Sequence, residues 1–191
     1  GQLADNGIAV SSMLPAPGGG PGFNVASPLE AERRAAVDQY IKVAQLCSDL
    51  GGRTLLYVAG WQVFGTPIEQ AWDWSREALR DIAAIRRDQL HIPVVAITGS
   101  TGKTSTKDLL AAALPGSWSS PRSFNNEVGV PLTVLQTPLT ADALVVEMGS
   151  RGRGHLEWLM PAVRPDVAVI TNLGAVHLET FGDAATLADS K

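Results

Sequence analysis

An α/β fold built on a parallel sheet is predicted by three features of this 191-residue sequence. Apolar segments of strand length alternate with amphipathic segments of helix length, the order that yields parallel strands joined by helical crossovers. The runs Pro93–Thr98 (PVVAIT), Asp142–Glu147 (DALVVE) and Asp166–Asn172 (DVAVITN) are rich in Val, Ile and Ala, as expected of strands covered on both faces. The first of these runs feeds the loop Gly99-Ser100-Thr101-Gly102-Lys103-Thr104, and a Leu- and Ala-rich helix, Thr104–Leu114, leaves it.

Composition narrows the possibilities. Hydrophobic residues make up 45% and charged residues 18%, a globular balance with room for one domain or two small ones. Lys plus Arg number 15 against 19 Asp plus Glu, for a net charge of −4. No basic stripe forms, so a nucleic-acid partner is not expected. Cys47 is the only cysteine, which excludes an internal disulfide and any CxxC metal or redox motif. No apolar run is long enough to span a membrane, and no basic segment precedes an apolar stretch at the start. A cytoplasmic protein is expected. The chain opens at Gly1 without a methionine and stops at Lys191 within an opening helical pattern, so a fragment or fusion is expected.

Three regions are expected along the chain. Residues 1–26 read as a loop-rich leader, because the run PAPGGGPG (Pro15–Gly22) breaks helix and strand alike. Residues 27–88 read as βα units. Ser27-Pro28-Leu29-Glu30 is a capping-box start, Val37, Ile41, Ala44 and Cys47 follow helical spacing, and Gly51-Gly52 end the helix. Thr54–Ala59 (TLLYVA) is a strand, Gly60–Gly65 a loop with Trp61 and Phe64, and Thr66-Pro67-Ile68-Glu69 starts a second helix running to about Arg87. Residues 89–191 hold the strand runs above, a glycine loop at Gly149–Gly154 and a short helix at His155–Val163.

The loop at 99–104 carries the strongest chemical signal. Helix N-termini present unpaired N–H groups and the positive end of the dipole, and glycines let backbone approach phosphate oxygens. Lys103 is spaced to reach β- and γ-phosphates, and the Thr104 hydroxyl to bind magnesium. Ile97 stands where the general pattern has its first glycine, so this is a shortened variant. Glu147, Asn172 and the loop all fall at carboxyl ends of strands, where ligands of such sheets bind.

Four blocks in order, VVAITGSTGKTSTKDLL (Val94–Leu110), SFNNEVGVPLTVL (Ser123–Leu135), VVEMGSRGRGHLEWL (Val145–Leu159) and RPDVAVITNLGAVHLETFG (Arg164–Gly182), resemble the central ATP-binding domain of the Mur ligases. The resemblance spans about residues 91–191. It points to the members that add D-alanyl-D-alanine to a UDP-linked muramyl tripeptide, because of NNEVGVP and the EMG after the second strand. It implies a truncated, P-loop NTPase-like central domain and an ATP- and magnesium-dependent ligase of peptidoglycan precursor synthesis, a cell-wall process tied to cell shape and division. By the same resemblance Gly99, Ser100, Thr101, Gly102, Lys103 and Thr104 hold the phosphates, and Thr104 and Glu147 hold magnesium. His177 supports a second magnesium, and Lys191 becomes a carbamate that ligates it. Lys103, Glu147, His177 and Lys191 are the implied catalytic set. Asn125 and Asn126 lie near the nucleotide or the substrate carboxylate. Arg151, Arg153 and His155 either meet an anionic substrate or are simply solvated. The implied chemistry runs through an acyl phosphate.

The stretch from Glu32 to Ala83, within residues 27–85, instead resembles sugar-phosphate isomerases and epimerases, TIM barrels related to xylose isomerase. That resemblance implies βα units of barrel type. Its metal centre is missing, since residues 1–90 contain no histidine and no acidic residue directly follows Thr54–Ala59. Trp61, Trp72 and Trp74 either line a sugar pocket or anchor the core. A βα piece leading into a βα piece is compatible with one shared parallel sheet. Three readings stay open: a chimeric ligase piece, a nucleotide- or phosphate-binding module without ligase activity, and an isomerase-like sugar binder.

Overall fold

The computed structural model describes residues 5–15 and 22–173. The chain forms two compact units, Gly1–Ala78 and Leu79–Lys191. Mixed α/β structure with parallel sheets runs through both, as the alternating sequence predicts.

In the first unit, β1 (Ser12–Met13) pairs in parallel with β2 (Thr54–Leu55), Ser12 beside Thr54 and Met13 beside Leu55. The crossover between them is α1 (Glu30–Asp49). Its buried positions Ala36, Tyr40 and Cys47 recur at four- and seven-residue spacing, the stripe of an amphipathic helix. Ser27 caps differently from a full capping box: its hydroxyl accepts the Leu29 N–H at 3.1 Å and donates to Glu32 at 2.6 Å. Glu30 and Glu32 place negative charge in the first turn, where the dipole favours it.

The loop-rich leader holds the two-residue strand Ser12–Met13, and one expectation is corrected. The strand expected over Thr54–Ala59 lasts only two residues. Beyond Met13 the partner continues as Leu14-Pro15, and proline has no N–H to extend a ladder. The backbone of Val58 turns to a side chain instead: its N–H donates to the Tyr40 hydroxyl at 2.8 Å, and that hydroxyl donates to Val58 O at 3.1 Å. Burial pushes the Tyr40 phenol pKa up, partly offset by this contact. The loop carrying Trp61 is pinned by Asn24, 2% exposed, whose amide brackets the Trp61 N–H and C=O at 3.1 and 2.9 Å. Gly60 adopts φ 84, and a Cβ there would fall 2.4 Å from Asn24 Oδ1. Arg33 stacks 4.7 Å over the Trp74 ring, while Trp61 and Trp72 are largely exposed.

The helix α2 (Ile68–Asp88) carries the unit boundary. In the second unit, β3 (Val94–Thr98), β4 (Ser117–Ser119), β5 (Ala143–Glu147) and β6 (Val167–Ile170) form a sheet of order β4-β5-β3-β6. Every pairing is parallel. Among the described residues the strands form two sheets, where joined βα pieces are also compatible with one shared sheet. Alternation sends Val94, Ala96, Leu144, Val146 and Met148 to one face. There they join Ala83 and Leu90, Val130 and Val134 of α4 (Gly129–Gln136), and Leu159, Ala162 and Val163 of α5 (His155–Val163) in one core. The opposite face meets α3 (Lys103–Ala113). β4 and α4 carry weak sequence signals: β4 is three residues long, and α4 contains Gly129 and Pro131. Gly129 is obligatory, since a Cβ would lie 2.7 Å from Phe124 Cα. No helix among the described residues is long and apolar enough to cross a membrane.

Leu144 is fully buried at the centre of this core. Leu144→Ala is expected to cost about 2–5 kcal/mol, read as a lower urea midpoint with an unchanged slope.

Candidate phosphate-binding site

The register of the sheet builds the site. Ile97 of β3 lies beside Glu147 of β5, and all strands point their carboxyl ends the same way. Glu147, Asn172 and the loop 99–104 therefore meet at one edge.

Gly99 follows β3 with φ 137, and a Cβ there would lie 2.0 Å from Thr171 Oγ1. Only glycine lets the loop turn this close to the strand beside it. The loop is tethered to the end of β6. Ser100 N–H donates to Asn172 O at 3.0 Å, and Thr101 N–H to Asn172 Oδ1 at 3.0 Å. Asn172 Nδ2 donates to Thr101 Oγ1 at 2.6 Å, and the Thr171 hydroxyl to Thr101 O at 2.6 Å. Gly102, at φ 81, turns the chain into α3. The Lys103 ammonium folds back on its own loop, donating to Gly99 O at 2.8 Å and Ser100 O at 3.3 Å.

Glu147 is 1% exposed. Its Oε2 accepts the Thr104 hydroxyl at 2.8 Å and its Oε1 the Asn125 Nδ2 at 2.7 Å. Its own N–H donates to Ser120 Oγ at 3.1 Å. A buried carboxylate requires compensation, yet both groups on its oxygens are neutral. The pair Thr104 Oγ1 and Glu147 Oε2 is an all-oxygen donor set, the chemistry that magnesium prefers. These residues therefore fit a magnesium ion. Among the described residues no group of three or more His, Cys, Asp or Glu side chains comes together.

The expected residues divide cleanly. The loop residues 99–104, Glu147 and Asn125 come together. Asn126 Oδ1 instead takes the N–H groups of Val128 and Gly129, at 3.2 and 2.7 Å, at the start of α4. Arg151 and Arg153 are exposed. His155 Nδ1 accepts the Arg151 N–H at 3.1 Å, and its Nε2 sits 3.2 Å from Glu127, which also faces Arg151 at 3.6 Å. His177 and Lys191 lie outside the described residues. Sequence reasoning passed over Lys107, Ser120, Thr171 and Glu127. The single available signal was Lys107, a lysine one turn past Lys103 on a helix that packs against a sheet.

Residues 1–109 match the family described as xylose isomerase-like TIM barrel, more than half of the chain. Residues 97–191 match the family described as Mur ligase middle domain. The chain belongs to the first family over its earlier residues, and its later residues are similar to the Mur ligase middle domain. The UDP-N-acetylmuramoyl-tripeptide–D-alanyl-D-alanine ligase of Escherichia coli strain K12 is 39% identical over 120 residues, 61% of this chain and 26% of that enzyme. A crystal structure of MurF from Acinetobacter baumannii is similar at 34% identity and TM-score 0.56, over 61% of this chain and 26% of that one. The MurF ligase of Thermotoga maritima, solved with ADP, shares the fold at TM-score 0.59 and 23% identity, over 98% of this chain and 40% of that one. The chain spans about a quarter of the length of the curated relatives it matches.

Gly99→Ala is expected to break the loop from β6, through both φ and the Thr171 contact, at about 1–3 kcal/mol of strain. Amide exchange at Ser100 and Thr101 should accelerate while exchange within β5 stays protected.

Proposed function

We propose that this chain carries the ATP-handling part of an amide-bond ligase joining D-alanyl-D-alanine to a UDP-linked muramyl tripeptide in the cytoplasm. The observation that carries the reading is the buried Glu147 carboxylate, bridged among the described residues by the neutral Thr104 and Asn125 side chains behind a phosphate loop. The names of the relatives support the substrate assignment. On this reading residues 89–191 hold the nucleotide site, residues 27–88 are a barrel-type βα fragment and residues 1–26 are its leader.

The reaction brings two anions together, the tripeptide carboxylate and the γ-phosphate of ATP. The carboxylate oxygen bonds to the γ-phosphorus as the bond to the ADP oxygen breaks, giving an acyl phosphate. The dipeptide amine then bonds to the acyl carbon, phosphate leaves and the amine loses its proton. The chain's task is to neutralise and orient. Lys103 exchanges the carbonyls of Gly99 and Ser100 for β- and γ-phosphate oxygens, a trade of neutral acceptors for charged ones. The N–H groups at the start of α3 cradle the same oxygens. Thr104 and Glu147 would hold magnesium, and His177 and a carbamylated Lys191 would serve a second ion. Bound magnesium supplies Lewis-acid charge at the transferring phosphoryl group. Asn125 keeps Glu147 turned toward Thr104.

Calorimetry with magnesium and ATP tests the reading. Lys103→Ala should weaken binding at least about tenfold, the worth of a charge-assisted hydrogen bond. Phosphate release that requires both tripeptide and dipeptide would establish the ligase. Binding without release would leave a nucleotide-binding module. No binding by the parent chain would overturn both.

A further inference from the structure

Lys107 is 3% exposed, and lysines are almost never this buried unless paired. An ammonium has three N–H donors, and here three acceptors meet it: Ser120 O at 2.8 Å, Arg122 O at 2.9 Å and Asp108 Oδ1 at 2.9 Å. Two of the three are backbone carbonyls of the segment that joins β4 to α4. A lysine needed only to fill space would not be matched to the carbonyls of a single connecting segment.

That segment is what holds Glu147. Ser120 N–H donates to Val145 O at 3.1 Å, which docks the segment beside β5. Ser120 Oγ takes the Glu147 N–H, and Asn125, at the segment's far end, donates to Glu147 Oε1. Asn125 O in turn takes the Gly149 N–H at 2.7 Å. The segment includes Arg122 at φ 47, a left-handed conformation that L-residues avoid and that persists only where its surroundings enforce it. The Arg122 carbonyl is one of those that Lys107 holds.

Lys107 lies one helical turn beyond Lys103 and three residues past Thr104, so it shares their face of α3. A closed circuit results. α3 grips Glu147 Oε2 through Thr104, the connecting segment grips Oε1 through Asn125, and Lys107 ties the segment back to α3. We propose that Lys107 is a positioning residue that sets the orientation of the Glu147 carboxylate for a magnesium-bound phosphate, acting through the 120–125 segment without touching either. This rests on the nucleotide-site reading above, which Lys107 deepens by giving the site a support beyond the phosphate loop.

The test compares the parent chain with Lys107→Met and Lys107→Arg, each checked for a folded methyl spectrum. The first readout is the NMR signal of the Asn125 side-chain amide, which needs no nucleotide. In folded Lys107→Met it should move toward the position of a solvent-exposed asparagine. The second is ATP affinity with magnesium and with a chelator. Magnesium-dependent affinity should fall about tenfold, the worth of one charge-assisted contact, while metal-free affinity is unchanged. A merely structural lysine would lower both affinities together, and that outcome overturns the proposal. So does an Asn125 amide that stays in place in the folded variant. Should Lys107→Met unfold, Lys107→Arg decides. Its planar guanidinium cannot set one nitrogen among these three oxygens, so the amide signal must still shift, by less. An unshifted signal there also overturns the proposal. A parent chain that binds no ATP refutes the nucleotide reading, and the Asn125 signal still decides the circuit.

Discussion

A carboxylate removed from water must be satisfied by what surrounds it, and in this protein the rest of the second unit is arranged around that demand. Glu147 ends the most buried strand of the sheet. Its side chain is gripped from α3 by Thr104 and from the β4–α4 connection by Asn125. Its backbone is gripped by Ser120. The grips come from two elements, α3 and the β4–α4 connection, so the sheet register, the start of α3 and the path of the connection must all be correct together. The apolar face of the same strand supplies the energy. Val146 and Leu144 are buried against α4 and α5, and burying such side chains contributes about 1.5–3 kcal/mol each.

The phosphate loop meets its own demand in the same economical way. Donors that suit a phosphate have acceptors inside the chain: Lys103 on the carbonyls of Gly99 and Ser100, and two loop N–H groups on Asn172. On the proposed function a phosphate would take over these donors, an exchange of partners in place of the ordering of a disordered segment.

The two family matches overlap on residues 97–109, the end of β3, the loop and the start of α3. A buried parallel strand leading into a helix is the repeating unit of barrels and of open doubly wound sheets alike. Local pattern cannot separate the two architectures there. The chemistry can, because GSTGKT places a lysine and a hydroxyl where a barrel unit has no need of them. In the first unit the barrel-type pattern yields, among the described residues, a two-residue strand pair. The period of hydrophobicity specifies that a segment can be a strand, and a neighbour with free N–H groups decides how far it extends.

Much of this protein was legible in its residues. Continuous Val, Ile and Ala runs marked β3, β5 and β6, helical spacing marked α1, a capping-box pattern marked the start of α2, and the glycines, Lys103 and Thr104 marked the loop, because each of these depends on near neighbours in the chain. Glu147 was legible as a strand-end carboxylate in a matching block. The roles of Asn126 at the start of α4, of Lys107 beneath the β4–α4 connection and of Asn172 against the loop were settled only by tertiary structure. Each is a hydrogen bond between a side chain and a backbone group whose position follows from packing. Asn126 takes N–H groups two and three residues away, and sequence could have suggested this had α4 been visible despite Gly129 and Pro131. Lys107 reaches 13 and 15 residues ahead and Asn172 reaches back 71 and 72. Residue type alone determined what these groups could donate or accept. Only the fold decided which partner stood within reach, since burial removes water as the alternative and leaves the choice to geometry.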